Sequence, residues 1–219
     1  MYRLFSLVEM TKFNFDFVFL TKEDSTIKVI PEDYQISVIP KHISVKEEPE
    51  WISLNFPSNS YSLIADGYQF TTQYQKLIKQ KGYALVYIDD LANEHMYADI
   101  VINHSPYLDA SFYKIEEHTQ LALGTQYALL RPDFLKAAKA LRNIENIDTA
   151  FVCFGGADPF NLSEKAVRAL LEIESIKQTH IVLGGAYKHK GLLALAKQYS
   201  KELVIHQNLS EKELVKVMM

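Results

Sequence analysis

The run Phe151-Val152-Cys153-Phe154-Gly155-Gly156-Ala157-Asp158-Pro159-Phe160-Asn161-Leu162-Ser163-Glu164 reads as a strand that passes through a glycine pair into a helix. Asn161 is its expected N-cap, with Glu164 three residues on as in a capping box. Two glycines let a backbone approach a ligand closely, and a helix N-terminus offers free N–H groups to a phosphate. The same pattern also makes a tight βα turn that holds nothing. A second candidate is Asp66-Gly67-Tyr68. A carboxylate and a phenol at a strand end can bind sugar hydroxyls or move a proton; the alternative is a turn, with Asp66 capping a helix and Tyr68 on the surface. Asp89-Asp90 can bind Mg²⁺ through two carboxylates, or one of the pair caps the following helix, which is the preferred reading.

The remaining reactive types are scattered. None of the seven histidines has the His-Glu-x-x-His spacing of a helical metal site. His104 follows a strand and can meet a ligand; His95, His118, His180, His189 and His206 read as surface or filler. Cys153 reads as a buried apolar strand residue with no neighbouring histidine to activate it. Arg131, ahead of Pro132, is a ligand or interdomain residue, or else half of a surface ion pair. No Gly-x-Ser-x-Gly nucleophile elbow occurs.

These residues matter only if strands end beside them. Apolar, β-rich runs at 15–20, 34–39, 61–65, 83–88, 98–102, 150–154, 180–183 and 203–205 predict strands. Helices are expected at 2–12, 72–80, 133–142, 162–175, 192–200 and 211–219, with 51–54 helical inside a loop-like stretch. Strands alternating with helices predict parallel βαβ units, in which ligands bind beyond the carboxyl ends of the strands. The polar stretch 143–148 reads as a linker. The expected fold is α/β, with Rossmann-like domains at 1–142 and 149–219.

Composition limits the partners. The 219 residues carry 23 Lys+Arg against 27 Asp+Glu, a net charge of −4, so there is no electrostatic pull toward nucleic acid or an anionic membrane. A hydrophobic share of 48% against 23% charged residues suits a folded domain and argues against disorder. The single cysteine excludes an internal disulfide framework and a multi-cysteine zinc site, and fits a reducing compartment. No run approaches the roughly 18 apolar residues of a membrane span, and the first residues do not read as a secretion signal. A soluble cytoplasmic protein is therefore expected, of unassigned oligomeric state.

In order along the chain, Asp66-Gly67-Tyr68, Ile88-Asp89-Asp90, Asp99-Ile100-Val101-Ile102-Asn103, Gly124-x-x-Tyr127-Ala128-Leu129-Leu130-Arg131-Pro132-x-Phe134, the Phe151–Asp158 block and Asn161-Leu162-Ser163 resemble the UDP-sugar hydrolases of pseudaminic acid biosynthesis. Those enzymes are grouped with spore-coat polysaccharide proteins and are similar in fold to MurG-type GT-B glycosyltransferases. The resemblance implies hydrolysis of a UDP-linked diacetamido-trideoxy sugar to UDP and free sugar, without a metal or other cofactor. It implies Tyr68 as the catalytic residue, Arg3, Asp66, Asn103 and Arg131 on the substrate, and Gly155, Gly156, Asp158 and Gly184 on the nucleotide. Met1-Tyr2-Arg3 matches only the last positions of the family's Gly-x-Gly-His-x-x-Arg loop. The resemblance therefore implies an N-terminal domain lacking its first strand, with a gap in its sheet, an incomplete C-terminal domain, and little or no activity in these 219 residues. A GT-B glycosyltransferase using a UDP-sugar, or a non-catalytic nucleotide-sugar binder, are the alternatives.

Overall fold

A computed structural model describes residues 2–23, 30, 32–141 and 143–219. Met1 and Arg142, named above in the histidine-loop comparison and at the end of a helix, lie outside the described residues. The chain divides into two compact units, Met1–Arg131 and Pro132–Met219. Both are mixed α/β with parallel strands.

The first unit runs α1 (Tyr2–Thr11), β1 (Val18–Lys22), β2 (Gln35–Ile39), α2 (Glu48–Asn55), β3 (Leu63–Asp66), α3 (Thr72–Gln80), β4 (Leu85–Ile88), β5 (His95–Met96), β6 (Ile100–Asn103), β7 (Lys114–Ile115) and β8 (Gln120–Leu123). Its main sheet has the order β3-β4-β6-β8, all parallel, with Asp66 beside Ile88 and Ile88 beside Ile102. Strand ends that carry Asp66, Asp89 and Asn103 are thereby aligned on one edge. The core beneath them is Ile78, Tyr83, Leu85, Met96, Ala98 and Val101, all at most 1% exposed, with Trp51 and Phe56 packed against it. Tyr74 and Ile78 recur at helical spacing on the buried face of α3. Between them Gln75, fully buried, accepts from the Tyr97 and Ala98 N–H groups and donates to the Phe70 carbonyl, so its polar atoms are satisfied. Pro49 stands in the first turn of α2, where its missing N–H costs nothing.

β1 and β2 pair in parallel as a separate two-stranded sheet, apart from the four-stranded one, so the strands of this unit do not form one continuous sheet. The expected buried strand at 15–20 is a correction: the strand lies at Val18–Lys22, and Phe13 and Phe15 are 89% and 65% exposed. Its aromatic composition suggests a covered strand, but β1 pairs with β2 alone and Phe15 packs edge-on against Phe17 instead.

The second unit runs α4 (Pro132–Ala137), β9 (Thr149–Val152), α5 (Leu162–Leu171), β10 (Gln178–Leu183), α6 (Gly191–Gln198), β11 (Leu203–Gln207) and α7 (Glu211–Met218). Its parallel sheet has the order β11-β10-β9 over a core of Val152, Val167, Ile181, Leu183, Leu192, Leu195 and Leu203. A reciprocal capping box opens α7: the Ser210 hydroxyl accepts from the Glu213 N–H while the Glu213 carboxylate accepts from the Ser210 N–H. The units divide ahead of the 143–148 linker because α4 packs on α7 and the Asp133 N–H donates to the Glu211 carboxylate at 3.0 Å. Among the described residues no helix is long and apolar enough to cross a membrane.

Candidate functional site

The carboxyl ends of β3 and β4 meet the first turn of α1. There the Arg3 guanidinium reaches two carboxylates at once: its Nη2 and Nε donate to Asp66, and its Nη1 donates to Asp90. The Asp66 side chain is 4% exposed, against 28% for Asp90. On the outer side the Tyr68 hydroxyl donates to Asp90 Oδ2 at 3.1 Å, with the tyrosine itself 70% exposed. Arg3 and the Asp66-Gly67-Tyr68 motif, separate in the sequence reading, are thus gathered through Asp90, which that reading places with Asp89 as a metal pair or helix cap.

The electrostatics follow from this geometry. Burial lowers the Arg3 pKa, but hydrogen bonds to Asp66 and Asp90 outweigh it, so the guanidinium is held charged above its ordinary range. The hydrogen bond to Asp90 raises the Tyr68 phenol above its usual value. One cation faces two carboxylates, which disfavours a further anion here and favours O–H and N–H donors.

Asp89, next in sequence to Asp90, points the other way. It is 3% exposed, and its Oδ2 accepts from the Ala92 N–H at 2.8 Å, the Tyr113 hydroxyl at 2.8 Å and Asn103 Nδ2 at 3.2 Å. Asn103 also donates to the Tyr113 oxygen at 2.9 Å, and its Oδ1 accepts from the Ser105 N–H at 2.9 Å. Burial, reinforced by the bond to Asp89, drives the Tyr113 phenol far up. Asp89 caps a turn rather than a helix, as Ala92 at φ 51° closes a loop. The paired aspartates do not converge on one point; Asp89 ties β4 to β6 and Asp90 serves the surface. Asn103 therefore stands behind the site, joined to it through Asp89. Beside it, His104 Nδ1 is buried without a hydrogen-bond partner.

In the second unit the glycine loop has the expected place, between β9 and α5, and the space beside Gly155 and Gly156 is open. Gly155, at φ +75°, takes a conformation that side chains disfavour. A Cβ on Gly184 would lie 2.5 Å from the Gly156 carbonyl oxygen, so the two loops pack backbone on backbone. The expected cap is corrected here. Asp158, not Asn161, holds the start of α5: its carboxylate accepts from the Leu162 and Ser163 N–H groups at 2.8 Å each. Asn161 is itself left-handed at φ 51°, and its side chain goes to Glu164 and to the Tyr187 hydroxyl. Burial raises the Asp158 pKa, but the hydrogen bonds from Ser163 and Leu162 outweigh it and hold the carboxyl below its ordinary range. Two of the N–H groups that a phosphate would use are therefore already bonded to a carboxylate. Cys153 is exposed, not buried, because β9 stops at Val152. Arg131 closes the first unit, immediately before the division.

The sequence reading named Asp90 only together with Asp89, as a Mg²⁺ pair or a helix cap, and it missed Tyr113. The Asp-Asp pair at a strand end was the available signal for the first; Tyr113 enters through a long loop and left none. Among the described residues no group of three or more His, Cys, Asp or Glu side chains is arranged to hold a metal ion.

No protein-family profile matches the chain. It is similar to uncharacterized protein MJ1062 of Methanocaldococcus jannaschii, 29% identical over 157 residues that cover 67% of this chain and 32% of that protein. The chain spans about a third of the length of this curated relative.

Proposed function

We propose that the first unit carries the sugar-binding half of a nucleotide-sugar hydrolase site of the pseudaminic acid type, within a GT-B arrangement whose second unit takes the nucleotide. One observation carries the reading: Arg3, Asp66, Tyr68 and Asp90 form a single bonded cluster at the carboxyl edge of a parallel sheet, where α/β proteins bind ligands.

The chemistry required is attack by water on the anomeric carbon. The new C–O bond forms as the sugar–phosphate C–O bond breaks, its electron pair leaving on the diphosphate and the attacking water giving up a proton to solvent. Acceptor oxygens of Asp90 and Tyr68, with enclosed Asp66 holding Arg3 behind them, suit the hydroxyl and amide N–H donors of a diacetamido sugar. The cluster's carboxylates keep the diphosphate away from this edge, so the nucleotide belongs with the backbone of Gly155, Gly156 and Gly184.

The test is to incubate the protein with a UDP-linked diacetamido sugar and analyse both binding and products. Saturable binding is the expected outcome, and whatever product forms should be free sugar and UDP in equal amounts. A glycosylated acceptor would replace hydrolysis with transfer. Failure of wild-type protein to bind the nucleotide sugar overturns the reading.

A further inference from the structure

We propose that Asp90 is the positioning residue of this site, fixing Tyr68 as a hydrogen-bond acceptor toward ligand and Arg3 as a rigid bridge. The inference rests on the nucleotide-sugar reading only for the identity of the ligand. An ionised carboxylate has no proton to give, so a hydroxyl 3.1 Å from Asp90 Oδ2 must donate to it. Tyr68 then has no proton left to offer a ligand and presents only its oxygen lone pairs. On an exposed tyrosine with no such partner the hydroxyl rotates freely and can donate or accept.

The two oxygens of Asp90 have separate duties. Oδ1 takes Arg3 Nη1, and Oδ2 takes Tyr68. Asp66 holds the other side of the guanidinium through Nη2 and Nε. The fan of contacts orients a side chain from α1 and one from the loop after β3 on a single residue that follows β4. Asp89 makes this possible from behind, since its three bonds lock the backbone of the Asp89-Asp90 pair. The raised phenol pKa at Tyr68 agrees with the direction of its hydrogen bond.

This arrangement selects ligands by polarity. A sugar O–H, an amide N–H or a water is accepted by Tyr68; a group that can only accept finds a lone pair facing it. Asp90→Asn keeps the shape but removes the charge, which frees the Tyr68 proton and loosens Arg3.

The experiment is site-resolved iodination of tyrosines at mildly alkaline pH, read by peptide mass spectrometry. Iodination follows the phenolate, whose fraction changes about tenfold per pKa unit. Tyr107, 87% exposed, serves as the internal control. Asp90→Asn is expected to raise the Tyr68 rate at least about threefold relative to Tyr107, and Asp90→Glu to restore slow modification. Trp51 emission reports whether each variant is folded; if Asp90→Asn is not, Asp90→Ser, which also lacks the carboxylate, takes its place in the same comparison. An unchanged Tyr68 rate in the folded variant that lacks the Asp90 carboxylate overturns the proposal. Absence of nucleotide-sugar binding in the wild type would count against the functional reading alone, because the iodination result does not depend on a ligand.

Discussion

Tyr113→Phe removes one oxygen from the buried knot that supports the site and leaves the ring in place. In the native protein that oxygen donates to Asp89 at 2.8 Å and accepts from Asn103 at 2.9 Å. The variant loses a hydrogen bond to a buried carboxylate, about 1.5–3 kcal/mol, while Asp89 keeps the Ala92 N–H and Asn103. Little is lost in packing, since only the hydroxyl goes. With a urea slope of about 1–3 kcal/mol per molar, the midpoint for this unit should fall by roughly 1 M. The assay is unusually clean because the chain's one tryptophan, Trp51, packs against the core of the first unit. Its fluorescence follows that unit without assuming that both units unfold together. A midpoint within about 0.2 M of wild type, at an unchanged slope, would show that the Asp89 knot does not hold β4 and β6.

Three further outcomes are expected in the second unit. Gly184→Ala should destabilise it by about 1–3 kcal/mol, read by hydrogen exchange of β10, because the new methyl meets the backbone of Gly156, which has no side chain to move aside. Asp158→Ala should cost about 1–3 kcal/mol and speed exchange of the Leu162 and Ser163 amides, whereas a free helix start would show no change. The third concerns His180 and His206. Their rings lie within 15° of parallel with centroids 5.2 Å apart, yet Nδ1 of one and Nε2 of the other are 2.9 Å apart, so they meet edge to edge in a hydrogen bond rather than face to face. Burial, and then the neighbouring His180 charge, lower the His206 pKa. A lowered histidine pKa means the unfolded chain binds the proton more readily. The stability it contributes is full above pH 6.5 and is lost as pH falls from there toward the depressed folded value. Melting curves between pH 7.5 and 5.5 should show this fall in wild type and a flatter profile in His206→Gln.

The legible parts of the fold were those with strong local signals. Helix α3 has its expected bounds because its buried face recurs at helical spacing and Gly82 follows its end. The parallel strands at β4, β6, β9 and β10 follow from apolar runs that end in polar residues. Strand β8 and the short β5–β7 pair were not anticipated, as Gln120–Leu123 is brief and two-residue pairings depend on distant loops. Phe15 misled because aromatic content signals burial only where a covering partner exists. In the site, Asp66 and Tyr68 were readable from their place after a strand. Asp90 was visible but ambiguous, since adjacent aspartates look alike in sequence while strand geometry turns one inward and the other outward. The cap of α5 shows the same limit: Asn161 with Glu164 has the right spacing, but the left-handed backbone at Asp158 and Asn161 brings the Asp158 carboxylate to the N–H groups first.

The most direct measurement is calorimetric titration of the UDP-linked diacetamido sugar into wild type and into Asp66→Asn. Asp66 accepts hydrogen bonds from Arg3 Nε and Nη2 and is nearly enclosed, so losing its charge should disorder the cluster without touching the second unit. Saturable binding in the wild type, weakened at least about tenfold in the variant, is the predicted result, matching loss of a charge-assisted contact of about 1.5–3 kcal/mol. Equal affinity in the two proteins, or no binding by the wild type, would contradict the assignment of a sugar-binding site to Arg3, Asp66, Tyr68 and Asp90.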